Sequence, residues 1–278
     1  MNVHWEHCYH MFEWLRQNPV QLQHECPVVV MARGHSGTRL LALAIEQLGI
    51  RMGANDGVPT GDVQDRRFTR AIKRICRASL SEPSTAEPNP RLLRAFHRSL
   101  VRYLDWLGDH SNGWGWKFPE TYLIPNYVAA TFPQARYVHM IRDGRDLAFK
   151  NHLTDDPHRR LGRRLLRCIG AMDMPHHVQA AMSWQFQVER YEQFVQANQP
   201  RVLTITFESL CHDPLETMRS VSQFLEREFT DECRSFLQSQ VRPEKVAQFR
   251  RENIREVSDV EAVIRPTLQR LGYIKQAA

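Results

Sequence analysis

Residues 26 to 41, CPVVVMARGHSGTRLL, constrain this chain more than any other stretch. A short valine-rich run reads as a buried strand. A turn with two glycines follows. Leu40, Leu41, Leu43, Ala44, Ile45 and Leu48 then repeat at helical spacing, and Gly49 closes the helix. Strand, Gly-rich turn and helix together aim backbone N–H groups and a helix N-terminus at an anion. Ser36 and Thr38 add hydroxyl donors, and Arg33 and Arg39 add fixed charge. The turn is not a Walker A loop, which requires a lysine after its last glycine; here Arg39 stands two residues past Gly37. The first 72 residues hold no lysine at all. Gly-rich strand-to-helix turns also occur in sheets that bind nothing there, so the anion site is an expectation drawn from context.

Other strands and helices follow in alternation. Trp114 to Phe118 reads as a strand that ends on Lys117, with Glu120 close behind. Arg136 to Ile141 is a third strand and runs into Arg142-Asp143-Gly144-Arg145-Asp146, followed by a helix through Lys150. Asp143 and Asp146 are expected to hold the arginines or cap that helix, leaving the arginines to grip an anion. Arg201 to Phe207 is a fourth strand. Asn89-Pro90 starts one helix, and Asp213-Pro214-Leu215-Glu216 forms a capping box for another. Residues 178 to 195 and a last segment ending near Leu271-Gly272-Tyr273 are helical. This alternation predicts an α/β fold of three layers, α/β/α, with a central mainly parallel sheet and a P-loop-like strand-loop-helix. The 278 residues are read as a single domain. Residues 1 to 25 are expected to form an N-terminal packing helix, and 150 to 175 to be a segment that covers the substrate.

The net charge is +6, and only five of 37 basic residues are lysine. Arginine forks suit phosphate, sulfate and carboxylate, although a GC-rich genome produces the same bias. No nucleic-acid motif accompanies the charge. The six cysteines show neither CxxC nor metal spacing, which points to a reducing cytoplasm. No run reaches the length of a membrane span, and the first residues lack the basic and apolar regions of a secretory signal, so none is expected. His4, His7 and His10 share three-residue spacing but lack partner ligands, so no metal is expected. The loop from Met52 to Asp65 passes over the end of the sheet, where open α/β sheets bind ligands. Asp56, Asp62 and Asp65 are its candidate acids. The basic run Arg159, Arg160, Arg163, Arg164 and Arg167 is either a solvated helix face or a cover for an acidic acceptor.

In this order the pieces resemble the sulfotransferases that use 3′-phosphoadenosine 5′-phosphosulfate (PAPS), from about Val28 to Tyr273. Arg33-Gly34-His35-Ser36-Gly37-Thr38 looks like the 5′-phosphosulfate loop. Lys117-Phe118-Pro119 looks like the strand whose lysine faces the transferring sulfuryl group. Phe132 to Asp146 is similar to the 3′-phosphate segment. Phe207-Glu208-Ser209-Leu210 with Asp213-Pro214 resembles the family's tyrosine–acid–x–leucine…Asp-Pro segment, and Lys245…Phe249-Arg250…Leu271-Gly272-Tyr273 matches loosely. The chain departs from the family pattern at His35, usually a basic residue, at Lys150, often serine, and at Phe207, which replaces tyrosine.

The resemblance implies a sulfotransferase that moves a sulfuryl group from PAPS to a hydroxyl or amine, leaving 3′-phosphoadenosine 5′-phosphate (PAP). It implies catalytic roles for Lys117 and His35, with Asp62 first and Glu120 second as general base. Donor contacts would come from Arg33, Gly34, His35, Ser36, Gly37, Thr38, Arg39, Arg142, Lys150, Phe207 and Arg250. The acceptor is a glycan or small hydroxylated metabolite, and the loop arginines favour an anionic one. Two alternatives are a P-loop-type nucleotide phosphotransferase, which predicts a Walker A lysine, and a non-catalytic PAP-binding protein of the same fold.

Overall fold

The computed structural model describes residues 22–53, 62 and 65–275. The His4, His7, His10 triplet, the helix expected near the N-terminus and Asp56 lie outside the described residues. Four strands, β1 Val28–Met31, β2 Gly115–Lys117, β3 Arg136–Ile141 and β4 Arg201–Thr206, form one sheet in the order β2-β1-β3-β4. Every neighbouring pair is parallel: Val30 lies opposite Lys117 on one side and Val138 on the other, and Met140 lies opposite Ile205. The α/β class and the central parallel sheet expected from alternation are both present.

Helices cover both faces. They are α1 Thr38–Glu46, α2 Arg66–Ser79, α3 Pro90–Leu107, α4 Pro125–Thr131, α5 Gly144–Ala148, α6 Arg160–Cys168, α7 His176–Asn198, α8 Phe207–His212, α9 Pro214–Phe224, α10 Asp231–Gln240 and α11 Ile254–Arg270. The period-two alternation of strand side chains sorts the core. Val29, Met31, Trp116 and Tyr137 pack with Phe68, Phe96 and Tyr103 of α2 and α3 and with Tyr191 of α7. Val28, Val30, Val138 and Met140 pack with Leu41 and Ile45 of α1, Met218 of α9 and Leu237 of α10. A smaller cluster joins Leu147 of α5, Trp184 of α7 and Ile264 of α11. A fully buried side chain of this kind contributes roughly 1.5–3 kcal/mol, so both faces anchor the sheet and fix the rim at its carboxyl edge.

Local chemistry sets the ends of the elements. Asn89 accepts from the N–H groups of Arg91 and Leu92 ahead of Pro90, and Asp213 accepts from Glu216 N ahead of Pro214. Asp65 caps α2 by accepting from Phe68 N at 2.5 Å, which gives this loop aspartate a structural role. The helix expected through Lys150 stops at Ala148, because Phe149 leaves the helical region with φ −100° and ψ 17°. Phe207, read as the last residue of β4, instead opens α8, where Thr206 and Ser209 form a reciprocal capping box. Among the described residues the five cysteines are free, and no helix is long and apolar enough to cross a membrane.

Candidate functional site

The carboxyl ends of β1, β2, β3 and the start of α8 gather Gly34, His35, Gly37, Thr38, Lys117, Arg142 and Phe207 around one cleft of about 580 Å³, while Ser36, expected among the donor contacts, is buried and outside the lining. The turn after β1 is built on two left-handed residues, His35 at φ 67° and Gly37 at φ 90°. Gly37 stands at the N-cap of α1 and supplies no side chain to cap it. A Cβ at Gly37 would also meet the Phe207 ring at 2.3 Å, so glycine is required twice over. The N-terminus of this nine-residue helix has no side-chain cap and opens on the cleft, an arrangement whose backbone N–H groups suit an anion.

The cleft carries four cationic side chains: Arg39, Lys117, Arg142 and Lys245. Lys117 ends β2 with its side chain 5 % exposed, and its ammonium donates to Asp62 Oδ1 at 2.5 Å. Burial holds its pKa below the ordinary lysine value, against the pull of Asp62. Arg142 is buried and fully organised. Its Nε and Nη2 bind Asp146 Oδ2 at 3.2 and 2.8 Å, its Nη1 donates to His35 O and its Nη2 to Lys245 O at 2.6 Å. The same guanidinium stacks on Phe207, 4.1 Å from the ring centre. The expectation that Asp143 and Asp146 hold arginines or cap a helix is met by both. Asp143 accepts from Arg145 N and pairs with the Arg145 guanidinium at 2.7 Å. Arg145 also reaches Glu261 and the Tyr273 carbonyl, so it ties down the C-terminal helix and is not left to grip an anion.

Several expected donor contacts are placed elsewhere. Arg33 is 1 % exposed and donates to Asp155 Oδ2 at 2.7 Å, so its charge is spent inside the fold. The Nε2 of His35 donates to the Asn151 carbonyl at 2.8 Å. Partial burial, with Arg33 nearby, holds that imidazole below its ordinary pKa, so near neutrality it brings no charge to the loop. Glu120 is buried behind the cleft with Lys73 at 3.4 Å; burial raises its pKa, and it lines neither cavity described here. Lys150 is half-buried and Arg250 exposed, and both also lie outside the lining.

A second cavity of about 710 Å³ adjoins the first, sharing His35, Asp62 and His152 with it. Its walls come from residues 151 to 158 and from His176 and Gln179 of α7. Aspartates 62, 155 and 156 line it, and among the described residues no lysine or arginine does. The segment expected to cover the substrate therefore contributes its first half. The arginines of α6 face outward and do not enter the cavity, which removes the sequence argument for an anionic group in it. His152 closes the boundary. Its Nδ1 accepts from Thr154 N, which leaves the proton on Nε2, and its ring packs so closely on Gly34 that a Cβ there would lie 1.9 Å from Nε2. Burial, reinforced by Arg33, His35 and Lys117, holds its pKa far below the usual range.

Sequence reasoning gave no site role to Lys245, His152, Asp155 or Gln240. Only Lys245 carried a signal, in the loose C-terminal match. The others lie in segments without a motif.

Comparison with known proteins bears on the family and the fold. The model of the Sulfotransferase family matches residues 27–231. A protein-tyrosine sulfotransferase of Drosophila melanogaster is 28% identical over 116 residues, 41% of this chain and 21% of that protein, so the match spans about a fifth of the relative's length. The solved sulfotransferase domain from the curacin biosynthetic pathway superposes with a TM-score of 0.53 at 10% identity, covering 87% of this chain and 98% of that one. The sulfotransferase domain of the Synechococcus PCC 7002 olefin synthase gives 0.48 at 14% identity, over 87% and 96% of the two chains. With a parallel sheet flanked by helices and a family match over most of its length, this chain belongs to the sulfotransferase family.

Proposed function

We propose that this protein transfers a sulfuryl group from PAPS to a hydroxyl of an acceptor held in the cavity beside His35 and Asp62. The observation that carries the reading is the pair of adjoining cavities with different linings: one with four cationic side chains and a helix N-terminus, the other with three aspartates, four histidines and, among the described residues, no lysine or arginine. The first suits a phosphosulfate and a nucleotide phosphate, the second a hydroxyl compound awaiting deprotonation.

The residues present fit the donor. The uncapped start of α1 and the left-handed turn accept a phosphate. Phe207 offers an aromatic surface beside Arg142, and Arg39, Arg142 and Lys245 supply charge. PAPS supplies an activated sulfuryl group whose leaving side is a phosphate oxygen. Lys117 sits where it stabilises negative charge growing on that oxygen, and a buried ammonium acts more strongly there than in water. Asp62 lines both cavities and takes the acceptor's proton as the new S–O bond forms. His35 and Arg33 act by position: the His35 carbonyl receives Arg142, and Arg33 anchors the loop to Asp155.

Thermal unfolding with PAP, ADP and ATP–Mg²⁺ tests the donor. At ~100 times its dissociation constant PAP adds about 2.7 kcal/mol of stability, or at least about 5 °C in Tm for a chain of this size. Stabilisation by PAP without metal, followed by turnover of radiolabelled PAPS on a hydroxylated acceptor, is the expected result. Stabilisation by ATP–Mg²⁺ alone rejects the reading.

A further inference from the structure

A third cavity, of about 320 Å³, lies between α2 and α3. Arg67, Arg70 and Arg74 line it from α2, and Arg98 and Arg102 from α3. All five are exposed, and none has an ion pair or carboxylate hydrogen bond among the described residues. Spacings of three and four residues put each row on one helix face. Six of the fourteen residues of α2 are basic, none of its first turn is acidic, and Asp105 is the one acid of α3. Like charges one turn apart and basic residues at a helix N-terminus both destabilise. The groove therefore carries an electrostatic cost that its own fold does not relieve, and a bound polyanion would relieve it.

We propose that this groove binds a linear anionic polysaccharide through its sulfate or carboxylate groups. The planar forks of arginine pair bidentately with such groups. The row from Arg67 to Arg74 extends over roughly 10 Å of helix, long enough to meet more than one anionic group. The lining contains no aromatic side chain, so successive nucleic-acid bases would find no platform. Trp106, one turn past Arg102, is a single aromatic surface at the groove's end. The floor is aliphatic side chain from Ala71, Ile75 and Leu92, with no sheet edge for peptide main chain, and Trp106 alone does not make the broad apolar face that a lipid surface requires. This site is separate from the donor cleft and does not depend on the identity of the donor.

Fluorescence anisotropy with a labelled, fully sulfated hexasaccharide tests it. Binding should fall by at least about tenfold between 50 and 200 mM salt, as expected when several ion contacts release counterions. The double variant Arg70→Glu/Arg98→Glu should weaken binding by at least about tenfold, and Arg70→Gln/Arg98→Gln by less, because reversal adds repulsion to the lost contacts. Both pairs are solvent-exposed, and an unchanged Tm verifies the fold. Lys117→Ala should leave the affinity unchanged. Undiminished binding by both double variants, or its loss in Lys117→Ala, overturns the proposal. So does tighter binding of single-stranded DNA, a polyglutamate peptide or anionic vesicles than of the hexasaccharide.

Discussion

In the proposed reaction, Lys117 and Asp62 form the contact on which the chemistry turns. The ammonium is buried at a strand end and the carboxylate is partly open to both cavities. Lys117→Ala should lower kcat about a hundredfold to a thousandfold, the usual cost of losing a preorganised charge stabiliser. The dissociation constant for PAP should change little, as calorimetry would show. Asp62→Asn should lower kcat at least about a hundredfold at saturating donor and acceptor. His139 gives a stability prediction of the same kind. It sits on β3 with Nε2 2.7 Å from the Tyr122 hydroxyl, and burial lowers its pKa to about 3. Below about pH 6.5 the unfolded chain takes up a proton that the native His139 refuses, so stability falls by roughly 1.4 kcal/mol per pH unit. His152 acts in the same direction. Melting curves from pH 7 to 5 should show the loss, and His139→Gln should flatten the slope whatever it does to Tm at neutral pH.

At the scale of elements, the polar residues around β3 and α5 act as a clasp on the C-terminal part of the chain. Asp146 binds Arg142 with one oxygen and the Phe249 N–H with the other, at 2.9 Å. Glu208, at the start of α8, accepts from Asp143 N and from the Tyr273 hydroxyl. These contacts join the segments that the sequence shows only as separate matches: Arg142 to Asp146, Phe207 to Leu210, and Lys245 to Tyr273. They also bring Lys245 to the cleft. Removing Asp146 leaves Arg142 buried without its counter-charge, so Asp146→Ala should destabilise by about 3–5 kcal/mol. A lowered urea midpoint would show it, and an unchanged midpoint would mean that the clasp is not structural.

Across the whole molecule, charge is distributed unevenly over three cavities. The proposed donor cleft is cationic, the cavity beside it has no lysine or arginine among the described residues, and the α2–α3 groove is lined by five arginines. A net charge of +6 conceals this division. The arginine bias that raised the expectation of an anionic acceptor is concentrated on surfaces outside the acceptor cavity. The proposed reading therefore separates recognition of the hydroxyl being modified from recognition of anionic groups farther away.

The sequence by itself determined what depends on near neighbours. The valine run, the two glycines and the leucine period make β1, its turn and α1, because strand and helix periods and left-handed glycine are local properties. Caps at Asn89 and Asp213 were legible for the same reason. Lys117 stood out as a lysine at a strand end. The tertiary structure decided which charges remain available. Arg33 is consumed by Asp155, 122 positions away, whereas Arg142 is held at the cleft by Asp146 together with the Lys245 carbonyl 103 positions on. Asp62 met Lys117 across 55 positions, and Glu120, only three residues from that lysine, turned instead to Lys73. Charges choose partners through space and by the cost of burial, which rises steeply for an unpaired ion, and chain spacing carries no record of that choice.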